Sequence, residues 1–274
     1  MSVFDEPKVD THCHVLDPAR FPYAPDVAYR PAGPEVGPAS QYQQVMDAYG
    51  IRHALLVGPN SGYNVDNRCL LDAIERGQGR FKGIALVPLD TDRDALMALR
   101  SRGVVGAAFN AALLGTAYYE QAAPLLRTLA ELDMMVSLQV QGDQMVALRP
   151  LIEGCETRVL IDHCGRPSVG QGVGQPGFQA VLSLARRGRV AVKLSGYQKV
   201  SALPPPFADT RPFVDALIDA FTLDACLWAS DWPFLRAPQR LDVGPLLREV
   251  ERLLPDAADR RKLFWDTPRR WLDF

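Results

Sequence analysis

Eight short apolar segments, each followed by an interval long enough for a helix, constrain what this chain can fold into. They lie at residues 8–14 (KVDTHCH), 53–59, 81–88, 104–110, 135–140, 158–164, 190–196 and 225–233. Several are unbroken apolar runs rather than alternations, the pattern of strands covered on both faces. The intervals carry helix signals. Asp66 or Asn67 caps a segment that stops at Gly77, and Thr91 followed by Asp94 reads as a cap with an acid three residues on. Pro124 fits a first helical turn, and Leu246, Leu247, Val250, Leu253 and Leu254 form one apolar stripe. Eight strand–helix alternations in 274 residues predict a single-domain (βα)8 TIM barrel over residues 1–274. An open, doubly wound sheet is the alternative, but no GxGxxG follows the first strand. Residues 170–177 (GQGVGQPG) read as a loop.

The interval after the first strand is the longest. Residues 15–40 hold Pro18, Pro22, Pro25, Pro31, Pro34 and Pro38, which no helix tolerates. A long loop after a barrel strand lies over the C-terminal face, where barrel active sites form.

Thirty Lys+Arg against 32 Asp+Glu give a net charge of −2, which argues against a nucleic-acid binder. No apolar stretch is long enough to span a membrane, and the N-terminus lacks the basic and apolar regions of a signal peptide, so a cytoplasmic protein is expected. The five cysteines are odd in number and form no CxxC, so they read as reduced core fillers, with Cys164 the one weak candidate for a catalytic thiol. Arg186-Arg187 and Arg260-Arg261-Lys262 read as solvated helix faces. A small-molecule substrate fits this composition. It does not fix the oligomeric state.

Buried strands should stay apolar to their ends, and several of these do not. The first ends in His12-Cys13-His14, where alternation puts both imidazoles on one face. The sixth ends in Asp162-His163 and the eighth in Ser230-Asp231-Trp232-Pro233. In a barrel these ends converge, which makes His12, His14, His163 and Asp231 one candidate reaction centre. His53 begins a strand, at the opposite face, and receives no role. Asp162 points away from His163 and reads as structural. Lys193, inside the seventh strand, needs a carboxylate partner if buried.

DTHCHV, DPARFPYAP, IDHCGRP, VKLSG and LWASDWP, in this order, resemble the amidohydrolase superfamily, in the branch of 2-pyrone-4,6-dicarboxylate lactonase and related lactone hydrolases. The resemblance runs from Val9 to the closing DTPRRWLDF. It implies a barrel whose reaction centre is His12, His14, His163 and Asp231, with Tyr29, Asn110, Gln139, Arg166 and Lys199 lining the substrate pocket. There are departures. Val105 and Ala108 stand where the branch carries arginines, Gln139 replaces a tyrosine, Lys199 an arginine, and Phe234 a histidine.

Lactone hydrolysis needs a base to activate water and an electropositive place for the carbonyl oxygen. Asp231 is the natural base, and the three histidines can polarise the carbonyl. The same His12, His14, His163 and Asp231 set could instead hold one zinc ion. The resembled lactonase implies catalysis without metal, and no required cofactor is the expectation. A metal-dependent decarboxylase and a lactone isomerase are the rival activities on this scaffold. With two arginines lost, the substrate is expected to be a small lactone less anionic than pyrone dicarboxylate.

Overall fold

The computed structural model describes residues 2–239 and 241–274. Among them, eight strands form one sheet whose order follows the chain: β1 (Lys8–Cys13), β2 (Ile51–Val57), β3 (Phe81–Ala85), β4 (Val104–Asn110), β5 (Met135–Gln139), β6 (Arg158–Ile161), β7 (Val190–Leu194) and β8 (Cys226–Trp228). The β1–β2, β2–β3, β4–β5, β5–β6 and β6–β7 ladders are parallel, and a helix occupies every interval. This is the (βα)8 barrel order that the alternation predicts. No helix among the described residues is long and apolar enough to cross a membrane.

The ladders are shorter than the apolar runs suggest. β6 stops at Ile161 and β8 at Trp228, so His14, His163 and Asp231 lie just beyond their strands rather than within them. The reason is backbone geometry. His163, Cys164 and Asp231 have φ of 52°, 57° and 62°, and a strand cannot pass through the left-handed region. Other corrections are local. The helix after β3 (Arg93–Ser101) is capped by Asp92, whose Oδ1 accepts from Ala95 N at 2.8 Å, and not by Thr91. The loop at 15–40 contains a 3-10 turn (Gly33–Glu35) and hands over to a helix (Ala39–Ala48) one residue after Pro38. The glycine-rich loop ends early, because the helix Pro176–Ser183 takes in Gly177, where a Cβ would stand 2.0 Å from the Gly142 carbonyl oxygen.

By its contacts the chain groups into two units, and the division falls inside β4 and inside β8. One unit comprises β1–β3, the start of β4 and residues 228–274. Its base is polar. Lys8 is fully buried, and its ammonium donates to the carbonyls of Phe4 (3.3 Å), Glu6 (2.6 Å) and Tyr49 (2.9 Å). Burial pushes its pKa down to about 8. Arg260 is not part of a solvated face. It is buried and grips Glu6 through Nε and Nη2, at 2.7 Å for the closest contact, while Nη1 donates to the carbonyls of Leu254 and Pro255. The helical spacing of Arg260 concealed this, because its partner lies 254 residues away. His53 stacks on Phe274 (4.7 Å between centroids) and Trp265 (6.0 Å), a packing role.

The other unit comprises most of β4 and β5–β7 with their helices. The apolar faces of Ala123–Glu131, Gln144–Glu153, Pro176–Ser183 and Arg211–Phe221 are buried, and Phe178 meets Phe213 edge to face at 5.0 Å. β7 is buried at all five positions, Lys193 included. Lys193 has the partner its burial demands: Asp162 Oδ1 at 2.8 Å, with Ser137 Oγ bridging the pair at 2.8 and 2.7 Å. Asp162 is thereby structural, as expected.

The Glu6–Arg260 pair makes a prediction. Removing one partner strands a buried charge, so Arg260→Met is expected to cost about 3 kcal/mol in urea unfolding. The Glu6→Met/Arg260→Met double variant is expected to recover much of that loss. A single variant as stable as the wild type would contradict the pairing.

Candidate active site

The ends of β1 and β8 belong to one unit and carry His12, His14 and Asp231. The β1–β2 register slips between Asp10 and Cys13, so three steps along β1 match two along β2. Such a bulge re-aims side chains. Asp10 thereby reaches the helix Ala39–Ala48, accepting a short hydrogen bond from Tyr42 Oη, while the His12 and His14 rings meet edge to face at 4.9 Å. His14 Nδ1 lies 2.8 Å from the Val57 carbonyl oxygen. A carbonyl only accepts, so this hydrogen bond assigns the proton of neutral His14 to Nδ1 and leaves a lone pair on Nε2. That Nε2 faces Asp231 Oδ1 at 3.7 Å.

Asp231 is fully buried. Its left-handed backbone is fixed from several sides: Asp231 N donates to the His12 carbonyl (2.9 Å), His14 N to the Trp232 carbonyl (2.7 Å), and Trp232 N to Ser230 Oγ (3.0 Å). The Trp232 ring stacks on Tyr42 at 4.8 Å. It also lies so close to Gly37 that a Cβ there would sit 2.1 Å from the ring. Glycine at position 37 therefore lets the long loop close over Trp232.

The other unit carries His163, Ser195 and the ends of β4, β5 and β7. His163 is fully buried, with Nδ1 3.0 Å from Ser195 Oγ. Gly196 passes so close that a Cβ there would be 2.7 Å from the His163 ring. Cys164 is buried, its Sγ directed at the Ser195 carbonyl, and burial pushes the thiol up to about 12. A thiol held protonated is a filler and not a nucleophile. Among the described residues, Cys13, Cys69, Cys155, Cys164 and Cys226 form no disulfide. Gln139 Nε2 donates to Asn110 Oδ1 at 3.3 Å, so the ends of β4 and β5 carry a linked amide pair. Arg166 follows the His163 turn with φ of 45°, and Lys199 ends the 3-10 turn Tyr197–Lys199 beyond β7.

Tyr29 belongs to the first unit. It is half-buried in the long loop, its hydroxyl donating to Glu35 and its ring facing Arg236 at 5.3 Å. Glu35 also accepts from Arg236 N, so one carboxylate ties the long loop to the segment after β8.

Sequence reasoning passed over three residues: Asp10, Tyr42 and Ser195. Asp10 did carry a signal, as a carboxylate inside a strand two residues before His12. Burial pushes its carboxyl up, opposed by hydrogen bonds from Ser230, Tyr42 and His12. Tyr42 and Ser195 carried none, since their partners become visible only in three dimensions.

An amidohydrolase family model matches residues 9–274. A 4-sulfomuconolactone hydrolase of Rhizobium radiobacter is 36% identical over 271 residues, 95% of this chain and 88% of that protein. A 2-pyrone-4,6-dicarboxylate hydrolase of Comamonas testosteroni is 28% identical, covering 96% of this chain and 88% of that protein. The crystal structure of a probable 2-pyrone-4,6-dicarboxylic acid hydrolase from Acinetobacter baumannii, with citric acid bound, has the same fold. Its TM-score is 0.88, at 24% identity, over 97% of this chain and 99% of that one. With the family model covering all but the first eight residues, the chain belongs to the amidohydrolase family.

Proposed function

We propose that this chain is a hydrolase that opens the ester bond of a small carboxylated lactone, with Asp231 as general base and His12, His14 and His163 around the reacting carbonyl. The observation that carries the reading is the donor cluster. His12, His163 and Asp231 each offer one ligand atom, and these atoms lie within 4.8 Å of one another, all three residues being buried. Full-length similarity to two lactone hydrolases supports the reaction class.

In this reading a water molecule adds to the lactone carbonyl while Asp231 takes its proton. The negative charge that develops on the carbonyl oxygen is met by imidazole N–H groups of His12 and His163. The tetrahedral centre then collapses, the ring C–O bond breaks, and the proton held on Asp231 passes to the leaving oxygen. Ring opening yields one hydroxyl and one carboxylic acid, which ionises to a carboxylate and releases its proton to solvent. Ser195, at His163 Nδ1, fixes that ring's orientation. Arg166 and Lys199 hold the anionic arm of the substrate, and the Asn110–Gln139 pair offers neutral amides to its remaining oxygens. Tyr29 is assigned to the loop side of the pocket.

The donor chemistry also fits a metal. His14 presents an Nε2 lone pair toward a carboxylate, and two further imidazoles with Asp231 match the nitrogen and oxygen donors of a mononuclear zinc site. When bound, such an ion polarises a carbonyl as a Lewis acid. The proposal assigns proton transfer to Asp231 and expects turnover without added metal.

The pocket chemistry narrows the substrate. β4 carries Val105 and Ala108, neither of which can hold a carboxylate. A lactone with one anionic group, such as a monocarboxylated or sugar-acid lactone, fits better than a pyrone dicarboxylate.

Three outcomes are expected in a lactone panel read with a pH indicator. Asp231→Asn folds normally and loses at least ~10²-fold in turnover; near-normal turnover would refute the base. Cys164→Ala keeps its turnover within about twofold, as a residue outside the chemistry should; a large loss would reinstate the thiol. Chelator treatment leaves activity in place, and abolition with recovery on adding zinc would reassign the histidines as metal ligands.

A further inference from the structure

One buried polar group beside this chemistry yet absent from it is the Asp10 carboxylate. It is fully buried, and all its hydrogen bonds lie within one unit. Oδ1 accepts from two backbone amides, His12 N at 3.2 Å and Ser230 N at 2.9 Å. Oδ2 accepts from Tyr42 Oη. One oxygen thus joins the amides of His12 and Ser230, the latter 220 residues along the chain from Asp10 and next to Asp231. The two strands meet again at once, through Asp231 N on the His12 carbonyl. A carboxylate is suited to this place. It is acceptor-only, and a buried anion bound by backbone N–H groups makes hydrogen bonds about twice as strong as neutral ones.

Tyr42 extends the network outward. Its hydroxyl holds Asp10 and its ring carries Trp232, the residue after Asp231. Trp232 in turn lies under Gly37 of the long loop. Two residues thereby brace the Asp231 turn from both sides, one through its peptide and one through an aromatic stack.

We propose that Asp10, supported by Tyr42, is a positioning residue that sets the Asp231 carboxylate relative to the HxH imidazoles. It touches no substrate and acts through the backbone. The proposal rests on Asp231 acting as in the reading above. An error of about 1 Å in such a group costs on the order of 10²-fold in rate, without a matching change in substrate affinity.

The test uses the full chain and three variants, Asp10→Ala, Asp10→Asn and Tyr42→Phe. Asn retains one carbonyl oxygen able to accept from both amides, and Ala retains none. Asp10→Ala is expected to lower kcat by about 10²-fold with KM within threefold. Asp10→Asn is expected to restore at least a tenth of wild-type kcat. Tyr42→Phe, which leaves both amide bonds in place, is expected to fall between the two. If Asp10→Ala does not fold, the Tyr42→Phe and Asp10→Asn kcat values carry the test. Wild-type kcat in folded Asp10→Ala or in Tyr42→Phe would overturn the proposal, as would a loss that Asn does not repair.

Crystal structures of the variants supply a readout that needs no turnover. The His14 Nε2–Asp231 Oδ1 separation is 3.7 Å. It is expected to change by more than ~0.5 Å in Asp10→Ala, or in Tyr42→Phe should the former not fold, and to persist in Asp10→Asn. An unchanged separation would overturn the proposal. A wild-type chain inactive on every lactone would instead count against the proposed function, with the crystallographic comparison still standing.

Discussion

The site depends on how the last strand closes on the first. Three interactions make that closure: Asp231 N on the His12 carbonyl, His14 N on the Trp232 carbonyl, and the Asp10 carboxylate between the amides of His12 and Ser230. None is a regular ladder contact, because Asp231 has left the strand for the left-handed region. A non-glycine residue there is strained by of order 1 kcal/mol or more and persists only where the surroundings determine it. Here they do so with backbone bonds from both neighbours and the Trp232–Tyr42 stack. The strain and its support together aim a buried carboxylate at an imidazole.

In the other unit, His163 is set by different means. His163 is held by Ser195 and by the close passage of Gly196, both from the segment after β7. Beside it, Lys193, Asp162 and Ser137 form a closed triangle of hydrogen bonds. A buried ion pair of this kind adds little net stability but is costly to break, and so favours one arrangement over its alternatives.

Much of this was legible from residue order. Parallel strands buried on both faces write themselves as apolar runs, so the eight strands and their barrel order could be read without coordinates. The candidate residues His12, His14, His163 and Asp231 stand out in the sequence because histidine and aspartate at the ends of such runs are expensive without purpose. What escaped was long-range. Arg260 reads as one of three basic residues on a helix, and only the fold brings Glu6 to it. Asp92 competed with Thr91 for one cap, and single-residue cap choices turn on geometry that the pattern does not encode. The β6 and β8 ladders end at Ile161 and Trp228, short of the left-handed residues His163 and Asp231, a change of backbone region that the residue pattern does not encode. The contacts of Asp10 with Tyr42 and Ser230 lie across the fold, where residue order does not show them.

The central claim is that His12, His163 and Asp231 surround one reacting carbonyl. A crystal structure with a non-hydrolysable cyclic analogue of a monocarboxylated lactone tests it most directly. The account predicts the ring carbonyl oxygen about 3 Å from nitrogens of His12 and His163, with Asp231 on the side from which water attacks and the carboxylate arm at Arg166 or Lys199. An analogue bound with its carbonyl turned away from both imidazoles, or seated elsewhere on the barrel, would contradict it.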